Sequence, residues 1–270
     1  MKLPRIILTL GICAVTLLTL ASPVRAQGVT GQWNTPMCGS NAYERIKTTT
    51  TEYAVIDTGG TCVDSERYHA DFAVAKVSEN IPWQYPALIS GYVPEGEPTC
   101  ASAHDTCYTY PVKVSQDGTP VASFGSWISA GYSGNESFDI WFSPDKSRHS
   151  ITDKAGDTEL MIWTSYPGVN DTRRFVAYAT IDHMRFGIMS WVGGGPHRYV
   201  AYLWLGADQT RKGHQVNMRD LWLNPFFRNA ETRGWLNPGE WLWAVDLGFE
   251  MNSGGTHNNI HGYSLSKVNL

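Results

Sequence analysis

The stretch Trp241-Leu242-Trp243-Ala244-Val245-Asp246-Leu247-Gly248-Phe249-Glu250 sets the period of the chain. Val245, Leu247 and Phe249 recur at every second position, with Asp246, Gly248 and Glu250 between them. An extended chain would turn the first set to a core and the second set to the opposite face. A helix would instead repeat its apolar residues at every third or fourth position. The same reading predicts strands at 68–77, 112–114, 137–142, 159–163, 175–180, 185–192, 199–205 and 263–268. Turn-rich sequences separate them, among them Asp57-Thr58-Gly59-Gly60, Asp117-Gly118, Gly193-Gly194-Gly195-Pro196 and Gly254-Gly255. Many short strands joined by turns predict an all-β sandwich.

One segment departs from this period. From Asn217 to Thr232, Met218, Leu221, Trp222 and Phe226 recur at helical spacing, with Asn217 placed as an N-cap and Gly234 as a stop. Pro225 inside the segment predicts a kink or a later start. The expectation is one helix packed on the outer face of the sandwich.

At the N-terminus, Lys2 and Arg5 precede an apolar run from Ile6 to Leu20 that ends at Val24-Arg25-Ala26. This reads as a secretory signal peptide over 1–26, shorter than the roughly 20 apolar residues of a membrane anchor. Its removal takes Lys2, Arg5 and Arg25 and no acid, so the remaining chain is more acidic than the formal charge of −4 of the whole. A basic stripe for nucleic acid is missing, as is a basic amphipathic segment for a membrane surface. With 42% hydrophobic and 12% aromatic residues, and neither a linker nor an internal repeat, residues 27–270 are expected to form a single secreted, monomeric domain.

Export governs the cysteines. Cys13 leaves with the signal peptide, and Cys38, Cys62, Cys100 and Cys107 remain. Four cysteines allow three pairings, of which pairing by proximity, Cys38 with Cys62 and Cys100 with Cys107, fits an oxidising compartment. No C-x-x-C spacing points to zinc. His257 and His261 lie in a Gly- and Asn-rich stretch unsuited to a helical metal site, and Gly193-Gly194-Gly195 lacks the setting of a phosphate loop. No metal and no cofactor are expected. The sequons at Asn135 and Asn170 read as chance.

Three acids sit within apolar strands. In Glu159-Leu160-Met161-Ile162-Trp163, alternation puts Glu159, Met161 and Trp163 on one face; Asp139 lies in Phe138-Asp139-Ile140-Trp141-Phe142, and Glu250 ends the opening stretch. Acids so placed are held by partners or do chemistry, because burial penalises their charged form. Two acids and an indole on one sheet suit a carbohydrate, whose apolar ring faces stack on tryptophan.

With these motifs set out, the chain resembles glycoside hydrolase family 12, the β-jelly-roll endoglucanases and xyloglucanases. Glu-Leu-Met-Ile-Trp at 159–163 and Gly-Phe-Glu at 248–250 resemble its two signature strands. The stretch from Trp33 to Cys62 is similar to its N-terminal disulfide segment, and Tyr85-Pro86 with Cys100 and Cys107 to its second cysteine loop. Gly134 to Trp141 is similar to its aspartate strand, and Asn217 to Gly234 occupies the place of its helix. The resemblance implies a jelly roll of two curved antiparallel sheets and a retaining endo-acting hydrolase of β-1,4-glucan. It implies Glu159 as nucleophile, Glu250 as general acid/base and Asp139 as hydrogen-bond partner of the nucleophile. It further implies Met161, Trp163 and Trp191 as substrate-binding positions. The chain departs from the family pattern at Thr48 to Tyr53, where a sugar-stacking Trp is usual, and at Met251, where Pro is usual. The loop 193–197 also lacks an asparagine used for sugar contact. These departures leave cellulose, mixed-linkage glucan and xyloglucan open as substrates. They also leave a second reading, a non-catalytic carbohydrate-binding or wall-associated protein on the same fold. The Glu-Leu-Met-Ile-Trp strand disfavours the family 11 xylanase type.

Overall fold

The alternation read in the sequence becomes two layers. The computed structural model describes residues 37–38, 42–47, 52–57, 61–64, 69–74, 87–91, 110–113, 119–147, 156–168, 175–192, 197–206, 214–253 and 258–268. The signal-peptide reading, Cys100, Cys107, Asn170 and His257 fall outside them. The strands are β1 Met37–Cys38, β2 Ala42–Lys47, β3 Glu52–Asp57, β4 Thr61–Asp64, β5 His69–Val74, β6 Ala87–Gly91, β7 Thr119–Ile128, β8 Ser133–Ser143 and β9 Thr158–Ser165. They continue as β10 Ala177–Ile181, β11 Met184–Val192, β12 Arg198–Trp204, β13 His214–Trp222, β14 Trp241–Ser253 and β15 Asn258–Val268, with α1 Asn224–Thr232 between β13 and β14. A nine-stranded sheet runs β10-β11-β12-β9-β8-β14-β6-β3-β2, and a six-stranded sheet runs β1-β4-β5-β15-β7-β13. The β9–β12 pair is parallel, and the other described pairs are antiparallel.

The core lies between the sheets. Phe138, Ile140 and Phe142 of β8, Leu160 and Ile162 of β9 and Val245, Leu247 and Phe249 of β14 are fully or nearly fully buried. They pack in one cluster with Ala122, Phe124 and Ile128 of β7, Val216 and Met218 of β13, and Ile260 and Leu265 of β15. Phe124 meets Phe138 edge to face across the layers, with ring centroids 5.6 Å apart. Val245, Leu247 and Phe249 thus occupy the core positions that their spacing predicts.

Two expectations are corrected. The N-cap is Leu223 and not Asn217: residues 214–222 form β13, paired with β7, and α1 has the later start that Pro225 predicts, beginning at Asn224 with Pro225 in its first turn. The register shifts between Met218 and Leu221, where Asp220 takes a positive φ of 53°. That bulge inserts extra chain, so Met218 and Leu221 both reach the core and the spacing mimics a helix. Of the strand predicted at 112–114, Val114 lies outside the described residues, and the rest forms a single bridge between Val112 and Leu242. Once begun, α1 buries Phe226, Phe227 and Ala230. Phe226 packs on Phe186 and Tyr202 at 5.0 and 5.2 Å, and Phe227 on Phe142 at 5.0 Å, all on the core side of the larger sheet.

The N-terminal strands place Cys38 directly opposite Cys62 in the β1–β4 pair. Their side chains lie outside the described residues. Among the described residues, no helix is long and apolar enough to cross a membrane.

Candidate active site

The register of the larger sheet decides which side chains share its free face, because residues opposite one another on paired strands project to the same side. On β8 and β9, Trp141 stands across from Glu159, Asp139 from Met161 and Ser137 from Trp163. On β8 and β14, Asp139 stands across from Asp246, Ser137 from Gly248 and Asn135 from Glu250. β12 adds Tyr199 beside Glu159. The face opposite the core therefore carries Glu159, Asp139, Asp246 and Glu250 in a diagonal over three strands. The structure brings together all three acids that the sequence singled out and adds Asp246.

Glu159 is held by a histidine. His197 Nε2 lies 2.5 Å from Glu159 Oε2, and the two side chains are 15% and 13% exposed. The imidazole also rests on the indole of Trp141, with centroids 5.4 Å apart.

Glu250 is held by an asparagine. Ser137 Oγ donates to Asn135 Oδ1 at 2.8 Å, which turns Nδ2 of that amide toward Glu250 Oε2, to which it donates. Tyr132 Oη lies 2.8 Å from the Glu250 carbonyl and 2.7 Å from that of Asn135. Gly134 makes this closeness possible: a Cβ there would fall 1.9 Å from the Glu250 carbonyl oxygen. Burial, and then the negative charge of Glu159, push the Glu250 carboxyl up to about 7, while the Asn135 amide opposes them.

The two aspartates between them are the most buried of the four. Burial raises Asp139 well above the usual carboxylate range, the charges of Glu159, Asp246 and Glu250 add to this, and the Trp141 indole pulls partly back. Burial alone raises Asp246 well above that range. Oδ1 of each is buried without a hydrogen-bond partner.

Met161 is fully buried. Its sulfur accepts from Tyr199 Oη at 3.1 Å and from Trp163 Nε1 at 3.4 Å. Trp163 is 5% exposed and tilts against Tyr166, at 5.9 Å between centroids. These residues form an apolar cluster with Met189, Tyr199, Ala201 and Leu203, against which Phe175 packs. The Phe175 ring fills the place of the side chain that Gly187 lacks, since a Cβ there would lie 2.4 Å from it. The sheet face beyond Met161 is thus covered by side chains, while Glu159, Trp141, His197 and Glu250 stay partly exposed. Trp191 falls opposite Tyr199 in the β11–β12 ladder; its side chain lies outside the described residues.

Alternation in the sequence already set Asp246 on the face of Glu250, and sequence reasoning missed Trp141, His197 and Asn135 as members of this face. Alternation from Asp139 to Trp141 carried the signal for one of them. Asn135 was visible only as a sequon, and at 1% exposure its amide is committed to Glu250. Nothing in the sequence pointed to His197. Among the described residues, no group of three metal-ligating side chains comes together.

No sequence-family profile and no curated protein sequence matches the chain. Solved structures do match its fold. Endoglucanase cel12A from Rhodothermus marinus superposes with a TM-score of 0.68 at 22% identity, over 88% of this chain and 100% of that one. A metagenome-derived glycoside hydrolase family 12 endoglucanase gives 0.66 at 22%, over 87% and 97%. A native family 12 xyloglucanase from Bacillus licheniformis gives 0.65 at 16%, over 87% and 100%. The shared feature at these identities is the fold, a jelly-roll sandwich with one helix.

Proposed function

We propose that the protein is a secreted, retaining, endo-acting hydrolase of β-1,4-glucan, with cellulose, mixed-linkage glucan and xyloglucan as candidate substrates. One observation carries the reading: Glu250 keeps its proton to about pH 7 on the same sheet face as Glu159. A general acid must carry its proton when the glycosidic bond breaks, and burial keeps that proton on Glu250 near neutral pH. The fold shared with endoglucanases and a xyloglucanase supports the substrate class.

In the first step Glu159 attacks the anomeric carbon as the glycosidic bond breaks, and Glu250 gives its proton to the departing oxygen. Glu250 then takes a proton from water, which attacks the same carbon and frees Glu159 as a carboxylate. Two inversions leave the configuration retained. Retention predicts a carboxyl separation of about 5–5.5 Å with sugar bound. Asp139, kept protonated by burial, is suited to donate its hydroxyl hydrogen to Glu159. Export further suggests a disulfide between Cys38 and Cys62, opposite in register, and peptide mapping without reductant tests it.

The decisive experiment incubates the protein with β-glucans and xylan and measures reducing ends, beside Glu159→Gln and Glu250→Gln. Release by the parent and its loss in both variants is expected. No release from any polymer would overturn the enzyme reading, and binding without release would point to a carbohydrate-binding protein. Release that survives either substitution would overturn the site.

A further inference from the structure

His197 precedes the first residue of β12 and shares a side with Tyr199. Arg198, between them, turns instead to Glu240, with Nη1 3.8 Å from Oε1. Strand alternation therefore delivers the imidazole to the acid-bearing face. There it meets Glu159 Oε2 at 2.5 Å, and the Trp141 indole braces the ring from β8. A short contact, a fixed ring and little exposure on either side make this a built pair. The hydrolysis described above gives His197 no role.

We propose that His197 positions the nucleophile, its Nε2 holding Glu159 Oε2 so that Oε1 is presented to the anomeric carbon. The inference rests on Glu159 being that nucleophile. When Oε1 bonds to carbon and the glycosidic bond breaks, Oε2 becomes the ester carbonyl oxygen and keeps its imidazole hydrogen bond. When water displaces the sugar, the electrons of the breaking ester bond return to the carboxylate, and the imidazole meets the returning charge. A held carboxylate avoids the loss of rate that comes from a misaligned attack. A protonated imidazole favours departure of Glu159 over its attack, so the charge of His197 also shapes the pH profile. Among the described residues, the other ionisable groups facing the pair are Asp139 from β8, Asp246 and Glu250 from β14 and Tyr199 from β12.

Two measurements test the pairing. In the first, the His197 imidazole is titrated by NMR in the parent protein and in Glu159→Gln. A neighbouring carboxylate should hold the midpoint higher in the parent by roughly one unit or more, and equal midpoints would overturn the pairing whether or not the protein hydrolyses glucan. The second compares His197→Ala and His197→Asn in variants whose thermal midpoints match the parent. His197→Ala should lose roughly a hundredfold in kcat with little change in KM, and added imidazole should restore part of it. His197→Asn, which keeps a donor, should lose less. An active parent whose His197→Ala variant keeps its kcat and pH profile would overturn the positioning role. A parent inert on every glucan would overturn the hydrolase reading and, with it, the positioning role.

Discussion

Asp139 stands directly across the β8–β14 ladder from Asp246, and the two are 9% and 5% exposed. Two carboxyls so placed cannot both ionise cheaply, and both are raised well above the usual range by burial. A raised folded-state pKa means that stability is fully present below the unfolded value and falls as pH rises. Asp246→Asn should therefore add about 1–3 kcal/mol of stability in urea unfolding at pH 7.5, and gain little near pH 4, where an unfolded aspartate is half ionised. An equal gain at both pH values would show that charge is not the cause.

Glu136 presents the same sign in the core itself. It is fully buried, and Oε2 accepts from Thr164 Oγ1 at 2.6 Å. Burial raises its carboxyl to about 7, and the Ser126 and Thr164 hydroxyls oppose the rise. Its contribution should thus be complete below the ordinary glutamate value of 4.5 and be lost as pH climbs through about 7. The shift corresponds to about 3 kcal/mol. Glu136→Gln should flatten the stability profile across that window in chemical denaturation series. A profile as steep as that of the parent would place the dependence elsewhere.

How much of this was legible beforehand follows from where each signal lies. Stretches with an unbroken two-residue period, such as Val245 to Glu250 in β14, could be read directly, because alternation is a local property. β7 went unread: its core side mixes Ala122, Phe124, Ser126 and Ile128, too weak a contrast against Ser123 and Gly125. The start of α1 was misread because one bulge at Asp220 gave strand residues a helical spacing. Glu159, Asp139 and Glu250 were legible as acids on apolar strands. Asn135 and His197 were not, because their roles depend on contacts across 115 and 38 residues of sequence.

Asn135 offers a test of the general acid that leaves its carboxyl in place. Its amide donates to Glu250 and lowers a pKa that burial and Glu159 raise. In Asn135→Ala the opposing influence is gone, so Glu250 should keep its proton to higher pH. The alkaline limb of kcat/KM should move upward by roughly half to one pH unit, with the acidic limb unmoved. A downward shift would mean that the limb reports another group.

Trp163 separates a packing role from a sugar-stacking one. Its indole is buried against Tyr166 and donates to Met161. A residue so enclosed should act first through stability. Trp163→Ala should cost about 3–5 kcal/mol in denaturant unfolding, while Trp141→Ala, on the partly exposed ring beside Glu159, should cost less and raise KM more. If Trp163→Ala instead left the unfolding midpoint unchanged and raised KM alone, the indole would have to swing out of the cluster to meet the glucan. The covering of this face by Phe175 and Tyr166 would then be one of two states rather than the resting arrangement.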